Sequence, residues 1–256
     1  INICDTLKAK GITPLTASVD GAWPAFIWFE QLLISQDPKL YLDLTSNKIK
    51  YTDPKVKAVF QIWKDMIDKG YFTPGDTSFF GEAAVALMNK GTMIPVGTWN
   101  NSAFSVTGGL VGGKDYDSFV IPNINPALKT QSIIVEAGAI GALAKGKNLA
   151  KAKVALREWL KFPAQAMWAD VSGDGVPNPK VPVADPVIKS LSKYVATNKV
   201  NQIQRYWESG PVPLIENGCS ILSAFMLGKK TVDETASEMA ALAAKEWKAW
   251  TAKYGK

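Results

Sequence analysis

Trp99 follows Gly97-Thr98 and is flanked by Asn100 and Asn101. A flat indole with amides at its edge suits a sugar ring. The C–H face stacks on the indole and the hydroxyl rim meets the amides. The alternative is a tryptophan that plugs the top of a sheet. Other reactive chemistry is thin. The chain has no histidine, which removes Ser-His-Asp and Cys-His nucleophile pairs, the usual zinc and iron ligands and the commonest general base. Paired carboxylates such as Asp20 and Glu136 would still permit glycoside hydrolysis. Cys4 and Cys219 match no metal or redox spacing, and are either a pair or two buried free thiols.

The segment that delivers Trp99 reads as a small-residue helix, 82–89, stopped at Lys90-Gly91. A short apolar strand, 92–96, follows and places Gly97-Thr98-Trp99 at its carboxyl end, where open α/β sheets bind ligands. A strongly apolar helix is predicted over 22–35, with Pro24 in its first turn and Asp20-Gly21 at its entry. Residues 39–52 read as a β-hairpin or irregular excursion. Asp53-Pro54 opens a helix over 54–69 that places Val56, Val59, Phe60, Trp63, Met66 and Ile67 on one face.

Short strands are predicted at 118–121 and 133–143. Gly138 and Gly141 inside the second mark a bulge or a close approach by another group. An amphipathic helix over 148–162 turns Ala150, Val154, Trp159 and Leu160 inward, and Pro163 starts a short helix through Trp168. Residues 172–186 are dense in glycine and proline and read as a linker or domain crossing. Helices follow at 186–196 and 214–227. A last helix runs from Thr231, whose Thr-Val-Asp-Glu is a capping box, to about Tyr254. Alternating helices and short strands completed by late helices define an α/β chain.

The 256 residues are 47% hydrophobic and 20% charged, an ordinary globular balance. No run approaches the roughly 20 apolar residues of a membrane helix. The net charge of +6 does not imply nucleic acid, because Arg157 and Arg205 are the only arginines and the lysines are scattered among acids. The chain opens at Ile1 without a methionine, inside a helical pattern that ends at Gly11. That is the pattern of a processed or truncated chain, whose missing front could carry any address.

Five segments occur in order: DTLKAKGITPL (Asp5–Leu15), TDPKVKAVFQIWKDMIDKGYF (Thr52–Phe72), EAAVALMNKGTMIPVGTW (Glu82–Trp99), SGDGVPNPKVPV (Ser172–Val183) and GKKTVDETASEM (Gly228–Met239). Together they resemble the second half of extracytoplasmic solute-binding proteins of the maltose-binding type, the periplasmic-binding-protein type II class. The resemblance implies an α/β fold with two lobes that close on ligand. Here it would be mainly the C-terminal lobe, a mixed sheet flanked by helices, with a crossing segment and C-terminal helices. It assigns 1–171 and 212–256 to that lobe, and 172–211 to the crossing and a helix of a missing N-terminal lobe.

The resemblance also implies a non-catalytic protein that binds a mono- or oligosaccharide outside the cytoplasm, periplasmic or lipid-anchored. Such a protein delivers its sugar to an ABC transporter permease. No metal or organic cofactor is implied. A phosphorylated polyol is the rival ligand. Trp99 matches the family's sugar-stacking tryptophan, and Trp23, after Asp20-Gly21-Ala22, an aromatic stacker preceded by an acid. Glu136 and Gly138 match a strand end that approaches ligand, and Trp207 lies where a third aromatic often sits. The implied ligand set is Asp20, Trp23, Trp99, Asn100, Glu136, Gly138 and Trp207. Where the maltose-binding branch has its third stacking tryptophan, this chain has Ile215. Trp28, Trp159, Trp168, Trp247 and Trp250 are expected to pack or to lie on the surface.

Overall fold

The computed structural model describes residues 1–74, 92–136, 138–178 and 180–255. The predicted helix 82–89 lies outside them. The chain forms two compact units and passes between them several times. The first is Ile1–Pro95, Val120–Val135 and Val200–Lys256; the second is Val96–Phe119 and Glu136–Lys199.

The first unit is built around α2 (Pro24–Gln36). Its sequence PAFIWFEQLLISQ is apolar on nearly every side, so it must be covered on every side. Helices α3 (Pro38–Thr45), α4 (Pro54–Asp68) and α8 (Val212–Met226) and strand β1 (Ser132–Val135) all pack on it. Helix α1 (Asn2–Ala9) opens the unit and α9 (Val232–Tyr254) lies across α4 and α8. Phe29 stacks on Phe60 with ring centroids 4.6 Å apart, and Trp63 meets Phe225 at 5.2 Å. Val56, Val59, Phe60, Trp63 and Met66 are buried, on the face predicted for 54–69.

Residues 39–52 do not form a hairpin. Leu40, Leu42 and Leu44 mimic a strand's alternation, but Asp37-Pro38 is a helix start. Pro38 disfavours helical geometry in its predecessor; Asp37 is extended, ends α2, and accepts the Lys39 N–H at 2.8 Å. The resulting α3 buries Leu40, Tyr41 and Leu44 and leaves Leu42 exposed. The capping box at Thr231 forms as predicted: Glu234 N–H donates to Thr231 Oγ1 at 3.2 Å, and Thr231 N–H to Glu234 Oε2 at 2.8 Å.

The sheet is small. Strand β1 pairs in parallel with β2 (Asn201–Gln204), Ser132 opposite Asn201 and Val135 opposite Gln204. Where a mixed sheet is expected, the pairs among the described residues are parallel. The strand predicted at 92–96 shrinks to a bridge from Met93 to Leu15, and 118–121 forms no strand. The strand predicted at 133–143 stops at Val135, where the chain leaves the first unit.

The second unit carries α5 (Leu149–Trp159), α6 (Phe162–Ser172) and α7 (Pro186–Thr197). Helix α5 buries none of its residues. Of the positions predicted inward, Ala150, Val154 and Leu160 are exposed and Trp159 is half-buried. The half-buried positions are instead Leu149, Ala152, Leu156 and Trp159, and the rings of Trp159 and of Trp168 in α6 lie 5.6 Å apart. Leu143 is 79% exposed and Met167 71%. Among the described residues, no helix is long and apolar enough to cross a membrane.

This contrast is measurable. Phe60→Ala should cost about 3–5 kcal/mol by opening a cavity in a closed core, whereas Leu160→Ala, at an exposed position, should cost under about 0.5 kcal/mol. Urea unfolding of both variants checks it, and equal costs would contradict the packing described.

Candidate functional site

A cleft of about 400 Å³ in the first unit is lined by Gly21, Trp23, Arg205, Trp207, Glu216 and Cys219. The turn that supplies Trp23 is unusual. Gly21 and Ala22 are both left-handed, at φ 68° and 66°. That conformation costs an alanine about 1–2 kcal/mol, so the surroundings must enforce it. Ala22 N–H donates to Val19 O at 2.8 Å, and Ser223 Oγ of α8 donates to Ala22 O at 2.8 Å. At Gly21 a side chain would crowd the indole, since a Cβ there would lie 3.3 Å from Trp23 Cδ1. Asp20 is in this same turn and exposed.

The opposite side of the cleft is the short turn that follows β2. Tyr206–Glu208 form a single 3-10 turn, with Tyr206 buried and Trp207 half-buried. The Trp207 ring meets Phe26 edge-on, centroids 6.1 Å apart. Arg205 stands 5.9 Å from the centroid of the Trp207 ring and donates from Nε to Glu208 at 3.0 Å. Cys219 forms part of the wall, and burial pushes its thiol up to about 11. It stays a protonated, weakly polar surface rather than a nucleophile. Cys4 is the other buried free thiol. Ile215 is buried in the core and adds nothing to the cleft.

The second unit holds the other predicted residues. Trp99 is 39% exposed on the 3-10 turn Thr98–Asn100. A Cβ at Gly97 would overlap its indole, which explains glycine at that position. Asn100 is buried and its Nδ2 has no hydrogen-bond partner among the described residues. Asn101, predicted alongside it, is instead structural. Its Nδ2 donates to Gly173 O at 3.3 Å and its Oδ1 accepts from Tyr116 at 2.7 Å. Glu136 and Gly138 follow β1 and are exposed.

Trp23 and Trp207 are thus brought into one cleft, with Asp20 in the turn beside it. Arg205, Glu216 and Cys219, which are outside the implied ligand set, join them. The last two are three residues apart and so share a face of α8, a pattern with no distinctive sequence mark. Two indoles, a guanidinium and a carboxylate around a small cleft can stack on a ring and hydrogen-bond its substituents.

Beneath the cleft wall lies Glu30, buried in α2. Its Oε1 accepts the Tyr206 N–H at 2.7 Å and the Tyr41 hydroxyl at 2.9 Å. Burial pushes its carboxyl up to about 7, against the hydrogen bonds from Tyr206 and Tyr41 and the nearby Arg205 charge.

The family of bacterial extracellular solute-binding proteins matches residues 2–197, and the chain belongs to it. A relative in Pyrococcus horikoshii, described as an uncharacterized ABC transporter extracellular-binding protein, is 25% identical over 233 residues, 88% of this chain and 48% of its own length. Among solved structures, a chitin oligosaccharide binding protein superposes with a TM-score of 0.76 at 18% identity, over 97% of this chain and 64% of that one. The bacterial solute receptor AcbH, reported to prefer β-D-galactopyranose, gives 0.76 at 24% identity, over 98% and 63%. The chain therefore spans about half the length of the curated relative and less than two thirds of these structures. The fold is the periplasmic-binding-protein-like α/β fold inferred from the sequence.

Glu30 makes stability pH-dependent in a definite direction. Between about pH 4.5, the ordinary carboxyl value, and about 7, the folded chain holds a proton that the unfolded chain has released. Its contribution is full below 4.5 and is lost as pH rises to 7. Relative to Glu30→Gln, the native chain should therefore lose stability across that window and level off above it. Thermal unfolding of both from pH 4 to 8 measures this; parallel curves would rule it out.

Proposed function

We propose that the chain is the ligand-binding part of a carbohydrate receptor that works outside the cytoplasm and passes its sugar to the membrane permease of an ABC transporter. The observation that carries this is the cleft lined by Trp23 and Trp207 with Arg205 and Glu216. Indole faces suit the C–H faces of a sugar, and the charged groups are suited to its hydroxyls. Asp20, exposed in the same turn as Trp23, is proposed to accept hydroxyl protons. Trp99, Asn100, Glu136 and Gly138 are proposed as further ligand contacts, Trp99 by stacking and Asn100 through its amide. The family and the relatives' descriptions support the receptor reading.

The exposed side chains Leu143, Val154, Leu160 and Met167 would be covered by a portion of the relatives' length that this chain does not span. We propose that this portion completes a lobe to which the helix Pro186–Thr197 belongs. A phosphorylated polyol is disfavoured, because Arg205 is held by Glu208 and the cleft also carries Glu216. A carboxylate-dependent glycosidase would need a facing pair of acids and turnover. The receptor reading predicts unchanged sugar after incubation.

Thermal-shift titration against D-galactose, chitotriose, raffinose and glycerol 3-phosphate is the test. A ligand of the folded state present at 100 times its Kd adds about 2.7 kcal/mol of stability, so a sugar should raise Tm and the phosphate should not. Trp23→Ala and Trp207→Ala should each cost about 2 kcal/mol in binding, roughly thirtyfold in Kd, as buried tryptophan contacts do. A shift with glycerol 3-phosphate alone would overturn the sugar reading.

A further inference from the structure

The charges that line the cleft do not balance. The chain as a whole is at +6, yet no lysine lines the cleft, and its only charged lining residues are Arg205 and Glu216. Arg205 is already engaged by a carboxylate. Its Nε donates to Glu208 at 3.0 Å, within a salt bridge between the two side chains. Glu216 has no such partner. It is exposed on α8 and makes no salt bridge or side-chain hydrogen bond among the described residues. Its charge is felt at the cleft wall: after burial, it is the Glu216 carboxylate that raises the Cys219 thiol.

The two indoles are fixed by the fold. Trp207 packs edge-on against Phe26 with centroids 6.1 Å apart, and Trp23 follows the left-handed pair Gly21-Ala22. One of them already meets a positive charge, since the Arg205 guanidinium lies over the Trp207 ring at 5.9 Å. Indole faces and an unneutralised carboxylate around one small cleft suit an ammonium ion, which both attract. A neutral ring would dehydrate Glu216 without supplying a counter-charge. An acidic ring would meet it as a like charge.

We propose that the cleft selects a sugar carrying a protonated amine, an amino sugar, and that Glu216 sets this preference. This rests on the cleft being the ligand site. The ring uses an indole face as a neutral sugar would. The ammonium adds the attraction of Glu216 and of the aromatic faces, while Arg205, neutralised by Glu208, does not oppose it.

The test uses the 256-residue chain and isothermal titration calorimetry at pH 6. It compares D-glucosamine with D-glucose, N-acetyl-D-glucosamine and D-glucuronate, which share a pyranose frame and differ in charge. D-Glucosamine should bind about tenfold tighter than D-glucose, a difference of about 1.4 kcal/mol. That ratio should fall below about threefold in Glu216→Gln. The substitution is at an exposed helix position and leaves the core untouched. Equal affinities in the native chain would overturn the proposal, as would a ratio that Glu216→Gln leaves at tenfold. So would tightest binding of N-acetyl-D-glucosamine or of D-glucuronate. In each of these cases the sugar reading stands and the amine preference fails.

Choline, an ammonium ion without a sugar ring, separates the two readings from the other side. If choline quenches the tryptophan emission, about tenfold more weakly in Glu216→Gln, and no sugar binds, the cation preference stands and the sugar reading fails. If neither choline nor any of the sugars binds, both are overturned.

Discussion

The structure of the first unit depends on the burial of α2. A helix written AFIWFEQLLIS has no face for water, so other elements must close around it. Helices α3, α4 and α8 and strand β1 do so, and the stacked Phe29–Phe60 and Trp63–Phe225 contacts are the consequence. The same burial sets the problem of Glu30. A carboxyl in that position must be hydrogen-bonded and is held protonated to an unusually high pH. One of its partners, Tyr206, stands between Arg205 and Trp207 of the cleft. One helix thus organises both the hydrophobic core and the wall above it.

The cleft joins elements that are far apart in sequence. Trp23 begins α2 from a turn forced into the left-handed region at Ala22, and Ser223 of α8 stabilises that turn. Trp207 comes from the turn after β2, braced against Phe26 of α2. Strain at Ala22 is tolerated because two hydrogen bonds and the packing of Pro24 and Phe26 oppose its relaxation. Such local strain is common where a side chain must be presented in one orientation.

The second unit is a different physical object. Two of its helices end on local caps: Asp185 accepts from Val187 N–H and Ile188 N–H before Pro186–Thr197, and Gly173 closes Phe162–Ser172. Yet the apolar side of Leu149–Trp159 finds only a partial cover, and Leu143 and Met167 remain largely in solvent. Local signals suffice to make a helix; a core needs a second layer. The inward face predicted for 148–162 failed for this reason. Amphipathicity marks a side that is apolar, whereas burial requires something to pack against it.

Much of the fold was legible because its signals are local. The Asp-Pro starts, the capping box at Thr231 and the 3.6-residue spacing of Val56 to Met66 each encode their outcome in a few neighbouring residues. The misreading of 39–52 arose where two local patterns competed, leucine alternation against an Asp-Pro helix start, and the start prevailed. The strands were least legible, since a strand's length depends on a partner elsewhere in the chain. The sequence by itself determined most of the described helices, the α/β class, the family and the aromatic residues worth suspecting. Only the tertiary structure decided that Trp23 and Trp207 share a cleft, that Arg205, Glu216 and Cys219 complete it, and that Glu30 bonds the Tyr206 amide between Arg205 and Trp207. Those relations join residues as distant in sequence as Trp23 and Cys219, and such distances are set by packing rather than by any neighbouring pattern.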